Sequence, residues 1–228
     1  MNYTMIKTPF VLDGSPTLID HINIIETICF DAVMKKLENK SKRVAIDVGF
    51  CEGLWSLNLS QYFDKVHAYE PNVDMVEIFS RHMPDHVHVN DYGLSDEQET
   101  YEMITFTHNV GMSMRRESKE KRDQGAIGGS IEEHMKAMGS KTRTFMGTSK
   151  PLDEEYHEIV DFIKIDAEGD DHKVIEGAWE TIKRCRPLIF IDAEQEYNGL
   201  ESLGYQSESI PITLHDNRNF STYMYYAP

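Results

Sequence analysis

The chain has 228 residues, 40% of them hydrophobic and 27% charged, which is typical of a globular protein large enough to bury a core. Its 39 acidic residues against 23 basic ones give a formal net charge of −16, which disfavours nucleic acid or a membrane surface as the main partner. Three scattered cysteines argue against a disulfide framework or a structural zinc site, and the lack of a signal-peptide pattern or a long apolar segment predicts a cytoplasmic protein.

The predicted elements describe one α/β domain over residues 1–228. Residues 1–42 form a helical lead-in, because Ile19, Ile22 and Ile25 recur at helical spacing. Short apolar runs then predict strands at 43–49, 65–70, 86–89, 160–166 and 187–192, with helical stretches at 54–63, 73–82 and 171–184. This alternation is typical of a Rossmann-like, doubly wound sheet.

Two regions depart from the alternation. Residues 100–150 are predicted to be an insertion with extra strands at 101–107 and 142–147. Between them, the basic run Arg115–Arg122 predicts either a solvated helix or a lid that binds an anionic acceptor. Residues 210–212 and 220–226 predict a final β-hairpin.

The turn after the first strand is the first candidate site. Gly49 and Gly53 allow a tight strand-to-helix turn beside a ligand, and Asp47 before them suits a cationic ligand such as S-adenosylmethionine better than a phosphate. The motifs of dinucleotide and P-loop sites are missing. A glycine turn needed only for packing is the alternative.

Glu70 ends the second strand, where a carboxylate can accept both ribose hydroxyls of an adenosine. This position fits NAD and S-adenosylmethionine equally well. The alternative is a surface carboxylate that caps the next helix.

Charged residues also end the fourth and fifth strands. Lys164, Asp166 and Glu168 alternate along one strand, and Asp192 and Glu194 repeat the pattern on the next. Unpaired charges in a buried strand are costly, so these residues predict an acid/base site or a divalent-cation site. A buried lysine–carboxylate network that only holds the strands together is the alternative.

Together, three motifs resemble the FkbM family of class I S-adenosylmethionine-dependent methyltransferases. They are Asp47-Val48-Gly49 with Gly53, Tyr69-Glu70-Pro71-Asn72, and Ile163-Lys164-Ile165-Asp166-Ala167-Glu168-Gly169. The resemblance runs from about Val44 to Glu194 and implies a Rossmann-like sheet with an antiparallel last strand. One departure is Cys51, which stands where the family commonly has asparagine.

The resemblance also implies roles for individual residues. Asp47 and Gly49 would lie near the methionine end of S-adenosylmethionine, Glu70 would hold its ribose, and 90–92 would border its adenine. The implied cofactor-binding residues are Asp47, Gly49, Phe50, Cys51, Gly53, Glu70, Pro71, Asn72, Asn90, Asp91 and Tyr92.

The expected reaction is methyl transfer to a hydroxyl of a small-molecule or glycan acceptor. Asp166 or Glu168 is the expected general base, tuned by Lys164. A Mg²⁺ ion held by Asp166, Asp192 or Glu194 is the second choice. Two other functions stay open: a non-catalytic S-adenosylmethionine-binding module and, with less support, an NAD-dependent oxidoreductase.

Overall fold

The computed structural model describes residues 16–107, 109–125, 130–137, 139–155, 159–193, 196–213 and 219–228. The strands in chain order are β1 (Val44–Val48), β2 (Lys65–Tyr69), β3 (Val87–Asn90), β4 (Gly93–Leu94), β5 (Glu99–Phe106), β6 (Asn109–Arg115), β7 (Thr142–Lys150), β8 (Phe162–Ile165), β9 (Leu188–Ile191), β10 (Gln206–Thr213) and β11 (Asn219–Tyr226). The α-helices are α1 (Pro16–Lys36), α2 (Leu54–Leu59), α3 (Val73–Phe79), α4 (Arg116–Gly125), α5 (Ile131–Ala137), α6 (Leu152–Glu155), α7 (Asp171–Gly177) and α8 (Trp179–Cys185). Short 3₁₀ helices cover Ser80–His82 and Asn198–Leu203.

The main sheet has, within those ranges, seven strands in the order β10-β11-β9-β8-β1-β2-β3. The five central strands from β9 to β3 are parallel, whereas β11 runs antiparallel to both of its neighbours. The predicted doubly wound sheet with a reversed last strand is therefore confirmed.

The two faces of the main sheet are covered by different helices, as buried parallel strands require. On one face, Phe30 of α1 and Trp55 of α2 pack with Phe162 of β8. On the other, Val174 of α7 and Ile182 of α8 belong to a second core cluster. Since side chains alternate along a strand, Asp47 and Lys164 lie on the face that α1 and α2 cover.

The insertion forms a second sheet, with the order β4-β7-β5-β6 in the described part of the chain. The predicted strands at 101–107 and 142–147 correspond to β5 and β7, which pair antiparallel over eight register positions. β6 and α5 were not predicted. The basic run starts at the end of β6 and continues as α4, so the helix is present, but Arg115, Ser118 and Lys119 are buried rather than solvated.

The predicted helix at 171–184 is wrong in one respect, because it is two helices that break at Ala178. Gly177 ends the first of them against the chain that follows β4. A Cβ atom on Gly177 would overlap with the carbonyl group of Ser95. The end of α7 therefore packs directly against the chain that leads into the insertion.

Candidate functional site

The site lies at the carboxyl ends of the parallel strands, where an open α/β sheet binds its ligands. There the turn after β1 contacts the loop after β8. Gly49 adopts φ +82°, and a Cβ atom at this position would overlap with the carbonyl oxygen of Asp166. Glycine is therefore required, both for the left-handed backbone and for the contact between the two loops.

Lys164 lies buried beneath this contact and is 3% exposed. Its Nζ donates to the carbonyl oxygens of Val48 and Gly49 at 3.2 and 2.9 Å, and it lies 3.4 Å from Asp47 Oδ1 and 3.5 Å from Asp166 Oδ2. Burial lowers the pKa of Lys164, but the charges of Asp166 and Asp47 outweigh that effect and the net shift is upward. The side chain is thus a fixed cation that holds the glycine turn.

Asp47 is fully buried and does not reach the surface of either cavity described below. Its Oδ2 accepts a hydrogen bond of 2.6 Å from Ser56 Oγ of α2. Burial raises its pKa, while the neighbouring Lys164 lowers it. The structure therefore places Asp47 and Lys164 in a buried network, as in the alternative considered above.

Glu70 follows β2 and is 6% exposed. Its two carboxylate oxygens each accept a backbone N–H, from Cys51 and from Asn72, both at 2.9 Å. Burial raises the pKa of Glu70 to about 7 against the effect of these hydrogen bonds. The carboxylate is thus fixed beside the glycine turn.

Cys51 adopts a left-handed φ of 49°. Its backbone amide makes the contact to Glu70, while burial raises the pKa of its thiol well above the usual range. The residue at this position therefore joins the turn to Glu70 through its backbone and carries a neutral side chain.

A cavity, here called the glycine-loop pocket, lies above these residues. Its walls include Val48, Gly49, Cys51, Glu70, Pro71, Met75, Leu94, Tyr101, Met103, Arg115, Asp166, Glu168 and Asp170. The cavity volume is about 60 Å³, far below the roughly 300–1,000 Å³ of small-molecule sites. Because Tyr101, Met103 and Arg115 come from the insertion, the second sheet covers this pocket.

Arg115 connects the insertion to the loop after β8. Its guanidinium pairs with Glu99, donates to Ser95 Oγ at 3.0 Å and lies 2.7 Å from Asp170 Oδ2. It also stacks over the Tyr101 ring at 3.6 Å. The other Asp170 oxygen accepts from Ser118 Oγ of α4 at 2.8 Å, so both oxygens of Asp170 bind the insertion.

A second, larger cavity of about 600 Å³ lies beside the glycine-loop pocket and is here called the acidic cleft. Its described lining consists of Asp166, Glu168, Gly169, Asp171, His172, Ile191, Asp192, Ala193, Glu196, Tyr197, Phe220 and Thr222. Asp166 and Glu168 line both cavities. Glu168 adopts φ +50°, an uncommon backbone conformation for a residue with a side chain and one often found at functional sites.

Two further carboxylates belong to the same electrostatic cluster. Burial and the charges of Asp166 and Glu26 raise the pKa of Asp192 well above its usual range. Burial also raises the pKa of Glu26 to about 7, and its Oε2 accepts a hydrogen bond from Trp55 Nε1. The cluster thus includes α1, a helix that no sequence motif places near the site.

Several predicted site residues lie away from both cavities. Phe50 packs in the core against Ala68 and Phe79, and Gly53 packs against the Phe50 ring. The Asn72 backbone contacts Glu70, and Asn72 belongs to the lining of a separate surface groove.

The adenine-bordering role of residues 90–92 stays a prediction. Asn90, Asp91 and Tyr92 do not line the glycine-loop pocket, whose wall after β3 is Gly93 and Leu94. The Asn90 amide donates to the Ala68 carbonyl at 3.0 Å. The Tyr92 hydroxyl donates to Glu155 at 2.9 Å.

The predicted metal site finds no support among the described side chains, where no three His, Cys, Asp or Glu residues are arranged to hold an ion. Glu194 lies outside the described residues. Among the helices of the described residues, none is long and apolar enough to cross a membrane.

The comparisons with known proteins agree with this architecture. The family model for the Methyltransferase FkbM domain matches residues 47–218, three quarters of the chain. The chain belongs to the FkbM methyltransferase family. The resemblance drawn from the glycine turn, the Glu70 motif and the motif after β8 is thereby confirmed.

One solved structure of an FkbM methyltransferase shares the fold at low sequence identity. Methyltransferase FkbM from Methylobacillus flagellatus KT has a TM-score of 0.52 and 16% identity, and the match covers 81% of this chain and 43% of that one. An rRNA methylase from Streptococcus thermophilus has a TM-score of 0.49 and 12% identity, with 88% and 97% covered. The present chain thus spans less than half the length of the Methylobacillus protein. Among curated proteins, the search finds no match.

Proposed function

We propose that this FkbM protein is an S-adenosylmethionine-dependent O-methyltransferase that acts on a hydroxyl of a small-molecule or carbohydrate-like acceptor. The observation that carries the proposal is the position of Asp166 and Glu168 in the walls of both cavities. If the glycine-loop pocket holds the methyl donor and the acidic cleft holds the acceptor, a carboxylate stands between the two. A cytoplasmic location is a further expectation, based on the composition.

The residues of the glycine-loop pocket fit the chemistry of S-adenosylmethionine. Glu70 offers a fixed carboxylate for paired ribose hydroxyls. Met75 and Leu94 offer apolar surface for an adenine ring. Gly49 keeps the turn after β1 free of side-chain bulk. The glycine-loop pocket is too small for the cofactor, because its volume is about 60 Å³. Tyr101, Met103 and Arg115 would have to move outward to admit it.

The second sheet is therefore proposed to act as a lid over the donor. Opening would separate Arg115 and Ser118 from Asp170, and closing would restore these contacts around the bound cofactor. A closed lid would also exclude water from the reacting groups.

When bound, the cofactor supplies a methyl group that is already activated for transfer. The protein has to hold the acceptor oxygen in line and accept its proton. Asp166 is the proposed base, since its side chain is 33% exposed and so reachable from the cleft, while Lys164 fixes it at 3.5 Å. Lys164 itself is a positioning residue, because its donors face carbonyl oxygens and carboxylates of the protein.

The test is transfer of a radiolabelled methyl group from S-adenosylmethionine to a panel of hydroxyl-bearing small molecules and oligosaccharides. A label that is lost in mild base is a methyl ester, and NMR of the product assigns a base-stable methyl group to oxygen or to nitrogen. Asp166→Asn should lower kcat by about 10²–10⁴-fold while the affinity for S-adenosylhomocysteine changes little. A base-labile or nitrogen-bound label would contradict O-methylation to a hydroxyl.

Prolonged treatment with EDTA distinguishes the two mechanisms for activating the hydroxyl. Turnover that survives EDTA supports Asp166 acting without a metal. Loss of turnover that Mg²⁺ restores would replace it with the metal-assisted route.

A further inference from the structure

The acidic cleft is more acidic than the protein as a whole. Five of its twelve described lining residues are Asp or Glu, against 39 of 228 in the chain. The one basic side chain in this lining is His172, which is exposed. The general acidity of the chain therefore does not account for the character of this cavity.

Among the carboxylates of the cleft, Asp192 has the least contact with hydrogen-bond donors and positive charges in the described structure. It is partly buried and lines the cleft, and none of the described side chains donates a hydrogen bond to it or forms an ion pair with it. Burial raises its pKa, and the negative charges of the neighbouring Asp166 and Glu26 raise it further. The nearby cation, Lys164, is directed toward the glycine turn and does not line the cleft.

The remaining carboxylates line the cleft at separated points. Asp171 accepts backbone N–H groups at the start of α7, among them that of Ala167 at 2.9 Å, whereas the exposed Glu196 accepts only the Ser207 hydroxyl among the described donors and keeps lone pairs for a ligand. The described carboxylates do not converge in threes as the ligands of one ion would. Separated negative charges suit an extended molecule with separated positive charges. Tyr197 and Phe220 add aromatic faces, which attract cations as well as the apolar face of a sugar.

We infer that the acceptor carries protonated amines as well as the hydroxyl to be methylated, as in an amino sugar. This inference rests on the proposed function, because it assigns the acidic cleft to the acceptor. It narrows the acceptor from any hydroxyl-bearing small molecule to a cationic one.

The probe for the test is neamine, an amine-rich carbohydrate, with its fully N-acetylated derivative as the uncharged match. Both are titrated by calorimetry into the whole protein, with and without saturating S-adenosylhomocysteine. We expect neamine to bind at least tenfold more tightly than the acetylated compound and to weaken as the salt concentration rises. Asp192→Asn should weaken neamine binding about five- to tenfold.

Asp85→Asn is the matched control, since it removes the same charge from an exposed residue outside the cleft and should leave neamine binding unchanged. Equal affinity for the two probes, or equal effects of the two variants, would overturn the inference. S-adenosylhomocysteine that binds while neamine does not would overturn it and leave the proposed methyltransferase function standing. Binding of neamine without binding of S-adenosylhomocysteine would support a cation site and contradict the cofactor assignment.

Discussion

Lys164→Met tests whether this lysine holds the site together. The substitution keeps an unbranched apolar side chain but removes the ammonium group that lies 3.4 Å from Asp47, a residue with no exposed surface. Breaking a buried ion pair from one side costs about 3–5 kcal/mol, because the remaining charge stays buried without its partner. The Gly49 carbonyl would also lose the ammonium donor, whereas the Val48 carbonyl would keep the Asp166 backbone N–H. We therefore expect the free energy of unfolding to fall by about 3–5 kcal/mol.

Urea denaturation followed by circular dichroism measures this loss. The double variant Asp47→Asn with Lys164→Met should recover at least about 2 kcal/mol, since it removes both members of the pair. Lys183→Met is the control, because Lys183 forms an exposed pair with Glu180, and it should cost less than about 1 kcal/mol. A loss below about 1 kcal/mol in Lys164→Met, with methyl transfer abolished, would refute the positioning role and favour direct participation in catalysis.

Three further predictions concern the turn, its carboxylate and the lid. Gly49→Ala should destabilise the protein by at least about 2 kcal/mol in urea and abolish S-adenosylhomocysteine binding, because its Cβ would meet the Asp166 carbonyl at a left-handed φ; wild-type affinity would contradict this. Since burial raises the pKa of Glu70 from 4.5 to about 7, its stabilising contribution to the unliganded protein is present below pH 4.5 and is lost as the pH rises through 7. Ribose binding favours the ionised form, so calorimetry should show roughly tenfold tighter S-adenosylhomocysteine binding at pH 8 than at pH 6, and Glu70→Gln should remove this dependence. Arg115→Gln should cost about 3 kcal/mol in urea and speed S-adenosylhomocysteine release, whereas Arg116→Gln, at an exposed pair, should do neither; equal effects would refute the lid contact.

The parallel sheet was predictable from the sequence because its strands are short apolar runs that end in glycine or a charge. Asp47 and Lys164 show which contacts the strand sequences could predict and which they could not. Their position on buried strands required a partner for each, and the structure makes them direct neighbours in the β1–β8 register. The sequence could not show that Lys164 points to backbone carbonyls, since the direction of a carbonyl group depends on the fold of the turn.

The insertion was less predictable. Arg115 begins a run of charged residues that has the pattern of a solvated surface, yet it is buried against Tyr101 and Asp170. Only its long-range partners distinguish it from Arg116, which is exposed. Glu26 is a similar case, because the helical pattern of α1 carries no information about which strand end its carboxylate approaches.

The glycine-loop pocket is proposed to bind S-adenosylmethionine through Glu70. Calorimetric titration of the purified protein with S-adenosylhomocysteine, repeated with Glu70→Ala and with NAD as the competing ligand, tests it most directly. We expect micromolar binding of S-adenosylhomocysteine that weakens at least tenfold in the variant, and no binding of NAD. A folded protein that does not bind S-adenosylhomocysteine, or that binds it equally well without the Glu70 carboxylate, would show that this pocket is not the cofactor site.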